Sequence, residues 1–147
     1  MTSGERAGIA WGFACVALGG LVAAVTGPLE LEKGSWLAAY LVLVAGLAQI
    51  VLAGQRQYFD AVAAGTTGFH LRVTLWAGGS LLVMAGSLAH APFVVDAGGA
   101  ALVVALAAAL WNVRSASRRG LALLAGAFYA VLLVSIPVGL VLAHLRA

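Results

Sequence analysis

Residues 71–89 read LRVTLWAGGSLLVMAGSLA and residues 93–113 read FVVDAGGAALVVALAAALWNV, with only His90–Ala91–Pro92 between them. Each run is about as long as the ~20 apolar residues that an α-helix needs to cross the hydrocarbon core of a bilayer. Lipid offers no hydrogen-bond partner to the backbone, so runs of this kind must be helical. Because three residues leave room only for a turn, the two helices are predicted to be antiparallel neighbours.

The same pattern occurs five times in a chain of 147 residues, of which 63% are apolar and 9% are charged. About a quarter of the residues of a soluble domain are charged, so this composition excludes a soluble enzyme, a nucleic-acid-binding module and a disordered chain. The single cysteine, Cys15, excludes an intramolecular disulfide. We predict an all-α bundle of five transmembrane helices in a single domain, 1–147, with spans at about 8–26, 36–54, 71–89, 93–113 and 121–143.

The basic residues predict the orientation of this bundle. Connections between spans alternate sides, and six basic residues fall on the side of the N-terminus against two on the opposite side. Cytoplasmic loops carry an excess of Lys and Arg, so we predict a cytoplasmic N-terminus and an external C-terminus. The six are Arg6, Arg56, Arg72, Arg114, Arg118 and Arg119, and the two are Lys33 and Arg146.

Small residues recur at four-residue steps in several spans, which is typical of membrane helices whose backbones approach closely. We expect these faces to hold the bundle together, to bind a membrane-protein partner or to mediate self-association. Gly126 in the fifth span is expected to lie on such a face. The complete set is Gly8, Gly12, Gly20 and Ala24; Ala38, Gly46 and Gly54; Ala97, Ala101, Ala105 and Ala109; and Ala122, Gly126 and Ala130.

Imidazole and carboxylate side chains collect on the predicted outer side. These groups are the usual ligands of zinc and copper, and two imidazoles from different helices can ligate haem. Glu30, Glu32, His90, Asp96 and His144 are therefore candidate metal ligands, and His90 with His144 is the candidate cofactor-binding pair. The alternative is that polar residues simply accumulate where helices leave the bilayer, and no HxxxH or HExxH spacing is present.

One polar residue, Gln49, lies near the middle of a span. A buried amide in a membrane helix either bonds a neighbouring helix or takes part in function, and Ser80 and Tyr129 are candidate partners. His70 and Arg72, at the inner end of the third span, are expected to lie at the interface near lipid phosphates.

Three functions remain open from the sequence. No nucleophile elbow, intramembrane aspartate pair, phosphatidyltransferase motif or P-loop is present, which favours a non-catalytic protein. The leading hypothesis is an accessory or assembly subunit of a larger complex, embedded in the lipid of the cell membrane of a prokaryote and binding no nucleic acid. The alternatives are a small oligomeric transporter or channel, with Gln49 and Asp96 near the path, and a redox protein that binds haem or metal. The sequence leaves the cofactor unknown.

Overall fold

A computed structural model describes residues 2–59, 66–113 and 119–145, and describes only the backbone at 56–59, 66–67, 113 and 142–145. These residues form helices and no β-strand. In chain order the helices are α1 (Ser3–Thr26), α2 (Gly34–Tyr40), the π-helix π1 (Leu41–Ala48), α3 (Gln49–Phe59), α4 (Thr66–Leu88), α5 (Pro92–Val113) and α6 (Arg119–Leu145).

Within the described residues, five helices are long and apolar enough to cross a membrane, the number that the sequence predicts. They are Ser3–Thr26, Gly34–Gln55, Gly68–Leu88, Pro92–Asn112 and Arg119–Val141, so the second combines α2, π1 and the start of α3. Most begin a few residues earlier than hydropathy alone suggests, because polar residues can occupy a helix's first turn. At α1 a capping box extends the helix: Thr2 N–H donates to Glu5 Oε2 at 2.7 Å, and Glu5 N–H donates to Thr2 Oγ1 at 3.3 Å.

Contacts divide the chain into two compact units, residues 1–54 and residues 55–147. The prediction of a single domain and the predicted orientation of the termini stay predictions. In the first unit α1 packs along α2 and π1, and glycines permit this close approach. A Cβ at Gly12 would lie 2.9 Å from the Gly46 carbonyl oxygen, and one at Gly19 would lie 3.0 Å from the Ala38 carbonyl oxygen. The contact therefore has room for hydrogen but none for a methyl group.

The π-helix is the least expected element of the first unit. Its residues, LVLVAGLA, are all apolar, and nothing in their pattern distinguishes them from an α-helix. A π-helix of this length is rare, and shorter π-bulges are frequent at functional sites. Here π1 contributes Gly46 to the contact with α1 and ends immediately before Gln49.

In the second unit α4 and α5 form the antiparallel pair predicted from the short turn between them, and α6 packs against α5. The tightest approach is between Gly79 and Gly98: a Cβ at Gly98 would lie 2.7 Å from the Gly79 carbonyl oxygen and 2.8 Å from the Val83 amide nitrogen. On the other side of α5, a Cβ at Gly99 would lie 2.9 Å from Leu140 Cδ2. Glycines thus bring α5 close to both of its neighbours.

Several predicted small-residue faces need correction. In α1, Gly8 and Gly12 are buried, but Gly20 and Ala24 are exposed and Gly19 takes the contact. The reason is geometric, because a four-residue step overshoots one helical turn and a ridge drifts by about 40° per step. Gly126 is not at a close contact either, since a Cβ there would meet only Leu110 Cδ1, at 3.9 Å.

Candidate functional site

The residues predicted to form an outer metal or haem site lie at helix ends. Glu30 and Glu32 are exposed in the turn between α1 and α2, His90 is exposed after α4, and Asp96 is half-buried in the second turn of α5. The side chain of His144 lies outside the described residues. Among the side chains that are described, no three His, Cys, Asp or Glu residues are grouped to hold a metal ion. The metal and haem sites stay predictions.

Backbone geometry explains why His90 is placed where it is. Its φ of 54° is left-handed, and the next residue, Ala91, donates its N–H to the Gly86 carbonyl oxygen at 2.9 Å. This is the hydrogen bond of a Schellman motif, which ends a helix with one left-handed residue, usually glycine. Glu30 repeats the arrangement after α1, with φ of 48° and a bond from Leu31 N–H to the Thr26 carbonyl oxygen. Both residues therefore occupy helix-terminating positions.

Gln49 is buried, with 1% of its surface exposed, and its Oε1 accepts no hydrogen bond from any described residue. It belongs to the first unit, and its suggested partners, Ser80 and Tyr129, belong to the second. Neither hydroxyl has a hydrogen-bond partner among the described residues. Gln49 is thus a buried amide within an apolar span, and its role in the membrane and its pairing with Ser80 or Tyr129 stay predictions.

The second unit buries a set of polar side chains that we call the polar layer: Gln55, Arg72 and Tyr129. Their exposed fractions are 2%, 3% and 1%. Each comes from a different helix, α3, α4 and α6. Arg72 lies on the packed face of α4, because Phe69 and Trp76, one turn before and one turn after it, are also buried. The side chain of Arg72 is thus packed against neighbouring helices, whereas its neighbour His70 is exposed. The expectation that both residues lie at the depth of the lipid phosphates stays a prediction.

Helix register places the three side chains at one depth. Gly79 of α4 lies against Ala101 of α5. Because the two helices are antiparallel, Arg72, two turns before Gly79, lies level with residue 108, two turns after Ala101. Leu110 of α5 lies near Gly126 of α6. Tyr129 follows Gly126 by about one turn, so it lies close to the same part of α5. Gln55 is fixed at the same turn of α5, because its Nε2 donates to the Ala109 carbonyl oxygen at 3.2 Å. All three side chains therefore lie level with the last turns of α5.

Arg72 is the basic residue of the polar layer. The Arg72 guanidinium carbon lies 5.8 Å from the centre of the Phe69 ring, which is within cation–π range. The same charge acts electrostatically on the Tyr129 hydroxyl. Among the described residues of this unit the one carboxylate is Asp96, which α5 places roughly 20 Å from Ala109 along its axis, at 1.5 Å per residue.

Gln55 Oε1 and the Tyr129 hydroxyl have no hydrogen-bond partner among the described residues. An unsatisfied buried polar group costs about 1–3 kcal/mol, so native proteins satisfy nearly all of them. One is an acceptor and the other can donate. Among the described residues the layer therefore holds one acceptor and one hydroxyl whose hydrogen bonds are not made.

The sequence carried one usable signal for this layer. Arg72 follows Phe69 and precedes Trp76 and Gly79 at steps of three and four, the spacing of one helix face. Two large aromatic residues and a glycine on that face indicate packing against a neighbour. Arg72 lies near the end of its apolar run, and this position by itself predicts only a depth near the membrane surface.

No family model, curated protein or solved structure matches this chain. The fold defines only a broad class of protein. The described chain is all-helical, and its five long apolar helices are compatible with a multi-pass membrane protein.

Proposed function

We propose that this protein is a non-catalytic accessory or assembly subunit of a larger membrane complex in the plasma membrane of a prokaryote. The observation that carries the proposal is a second small-residue face on α1. It lies opposite the face that packs on α2 and π1. The face consists of four exposed alanines, Ala7, Ala10, Ala14 and Ala17, and is followed on the same stripe by the exposed Leu21.

The spacing of these alanines supports a docking role. Steps of three and four keep them within one stripe of the helix, about half a turn from the buried stripe of Gly8, Gly12, Cys15 and Gly19. Large aliphatic side chains suffice where a helix meets only lipid. Small side chains let a second helix approach closely and gain van der Waals contact. The exposed stripe of α1 thus suits a transmembrane helix of a partner.

Mild-detergent purification followed by mass spectrometry tests the proposal, with two variants of equal bulk. Ala10→Leu combined with Ala17→Leu should remove a co-purifying membrane protein, because the added side chains hold the partner helix away. Ala100→Leu combined with Ala107→Leu is the matched control, since both alanines are exposed on α5 at the same spacing. The control should retain the partner.

Three results would contradict the proposal. The parent protein could purify without a partner, or the α1 variant could retain the partner as well as the control does. A complex containing only copies of this chain would identify self-association instead. Thermal unfolding of both variants shows whether a lost partner reflects a lost interface or a misfolded chain.

A small transporter or channel is the second candidate, and the buried polar side chains favour it. Ionisable and amide groups inside membrane helices commonly mark the path of an ion or solute. Arg72 and Gln49 are both buried within apolar spans. Flux through reconstituted liposomes that is abolished by Gln49→Leu would favour this function over the accessory role.

A further inference from the structure

We propose that π1 is a rotational switch in the second span: it holds one extra residue, and it turns Gln49 when it changes into an α-helix. This inference goes beyond the proposed accessory function, which depends on the opposite face of α1. It rests on the register between α1 and the second span, and on the buried amide that follows π1.

The two helices meet at two contacts of a glycine with a carbonyl group, and the spacing of the contacts differs between the helices. A Cβ at Gly12 would lie 2.9 Å from the Gly46 carbonyl oxygen, and a Cβ at Gly19 would lie 3.0 Å from that of Ala38. Gly12 and Gly19 are seven residues apart, about two turns of an α-helix, so they share one face. Ala38 and Gly46 are eight residues apart. In a continuous α-helix the eighth residue is rotated by about 100° from the seventh.

The extra residue is absorbed by π1. An i→i+5 hydrogen bond closes a turn with one residue more than the i→i+4 bond of an α-helix. A π-helical turn therefore accommodates an additional residue without rotating the helix that follows it. This is why the carbonyl groups of Ala38 and Gly46 both face α1. The register of the contact depends on π1, and it would be lost if residues 41–48 became α-helical.

Opposing contributions favour the two forms of this segment. The π form makes the contact between Gly12 and Gly46. It also buries Gln49, whose Oε1 accepts no hydrogen bond from any described residue, and this is unfavourable. The α form gives residues 41–48 the more common i→i+4 bonds and turns Gln49 by about 100°, away from its buried position. Because each form gains what the other loses, a change at α1 shifts the equilibrium between them.

Deletion of single residues tests the register argument. Leu43 is exposed within π1, and its removal leaves Ala38 and Gly46 two α-helical turns apart, as the contact with α1 requires. The full-length protein without Leu43 should unfold at or above the midpoint of the parent. Deletion of Val104 is the matched control, because it is also exposed but lies between two buried residues of the regular helix α5.

The control deletion rotates the rest of α5 out of its packing, so it should lower the midpoint by about 10 °C or more. If removal of Leu43 destabilises the protein as much as removal of Val104, or prevents folding, π1 holds no extra residue and the proposal is wrong.

Fluorine NMR relaxation dispersion tests the switching itself. A trifluoromethyl label is attached to Leu47→Cys, which is exposed within π1, in a Cys15→Ala background. The full-length protein in nanodiscs should show exchange between two states on the microsecond-to-millisecond timescale. The variant without Leu43 should show none, because it has no π form. Gly12→Ala should raise the population of the second state about fivefold or more, since its Cβ crowds the Gly46 carbonyl oxygen.

Gly20→Ala is the matched control on α1, because a Cβ there meets no atom within 4 Å. It should leave the two populations unchanged. A parent protein without exchange would overturn the proposal, and so would exchange that persists after removal of Leu43. Equal populations in the Gly12→Ala and Gly20→Ala variants would show that the contact with α1 does not control π1, which would overturn it as well.

Discussion

Replacement of Gly98 by alanine tests the packing that defines the second unit. The new Cβ would lie 2.7 Å from the Gly79 carbonyl oxygen, 2.8 Å from the Val83 amide nitrogen and 2.8 Å from Val83 Cγ2. Two of these three atoms are backbone, so no rotamer change can relieve the overlap. The helices α4 and α5 must instead separate, and a gap of 0.5–1 Å forfeits about a quarter to a half of each van der Waals contact.

The expected loss of stability follows from two opposing terms. Overpacking of a well-packed contact typically costs about 1–3 kcal/mol. Alanine in place of glycine returns up to about 1 kcal/mol through its higher helix propensity. We expect a net destabilisation of about 1–2 kcal/mol. Gly78→Ala is the matched control on α4, because a Cβ there meets no atom within 4 Å and only the propensity gain applies.

The assay is reversible unfolding in detergent, followed by tryptophan fluorescence. Trp76 reports directly on the α4–α5 contact, because it is fully buried in this unit. Gly98→Ala should lie below the parent and Gly78→Ala at or above it, a separation of about 1–3 kcal/mol. Equal stability of the two variants would refute the close packing of α4 on α5.

Three further predictions follow from helix ends and from charge. His90→Gly should stabilise the protein by about 1 kcal/mol in thermal unfolding, because glycine adopts a left-handed conformation at little cost; His90→Ala should not, and a destabilised glycine variant would contradict the Schellman interpretation. A visible absorption spectrum of the purified protein tests the redox alternative: a haem band that His90→Gly abolishes would establish it, and the absence of haem absorbance would contradict its haem form. A C-terminal alkaline phosphatase fusion should be active and a C-terminal fluorescent protein dark, and the reverse pattern would disprove the predicted orientation.

Hydropathy and connection length were sufficient to predict the number of long apolar helices and the pairing of α4 with α5. The five spans and the antiparallel pairing of α4 with α5 follow from local rules, since an apolar segment in lipid must satisfy its own backbone and three residues permit only a turn. The helix of the second span continues past its predicted end at residue 54, as α3, to Phe59. The π-helix had no local signal, because its residues are those of any apolar helix.

The rotation of each helix about its axis was decided only by tertiary packing. Hydropathy orients a helix when one face is polar, but these helices are apolar around most of their circumference. Composition therefore could not distinguish Gly98, which touches the backbone of α4, from Gly126, which touches one leucine side chain. For the same reason the sequence predicted how deep Arg72 lies in the membrane but not which face of α4 carries it. Its burial beside Tyr129 depends on which face of α4 packs inward, and that choice minimises the volume left between neighbouring helices.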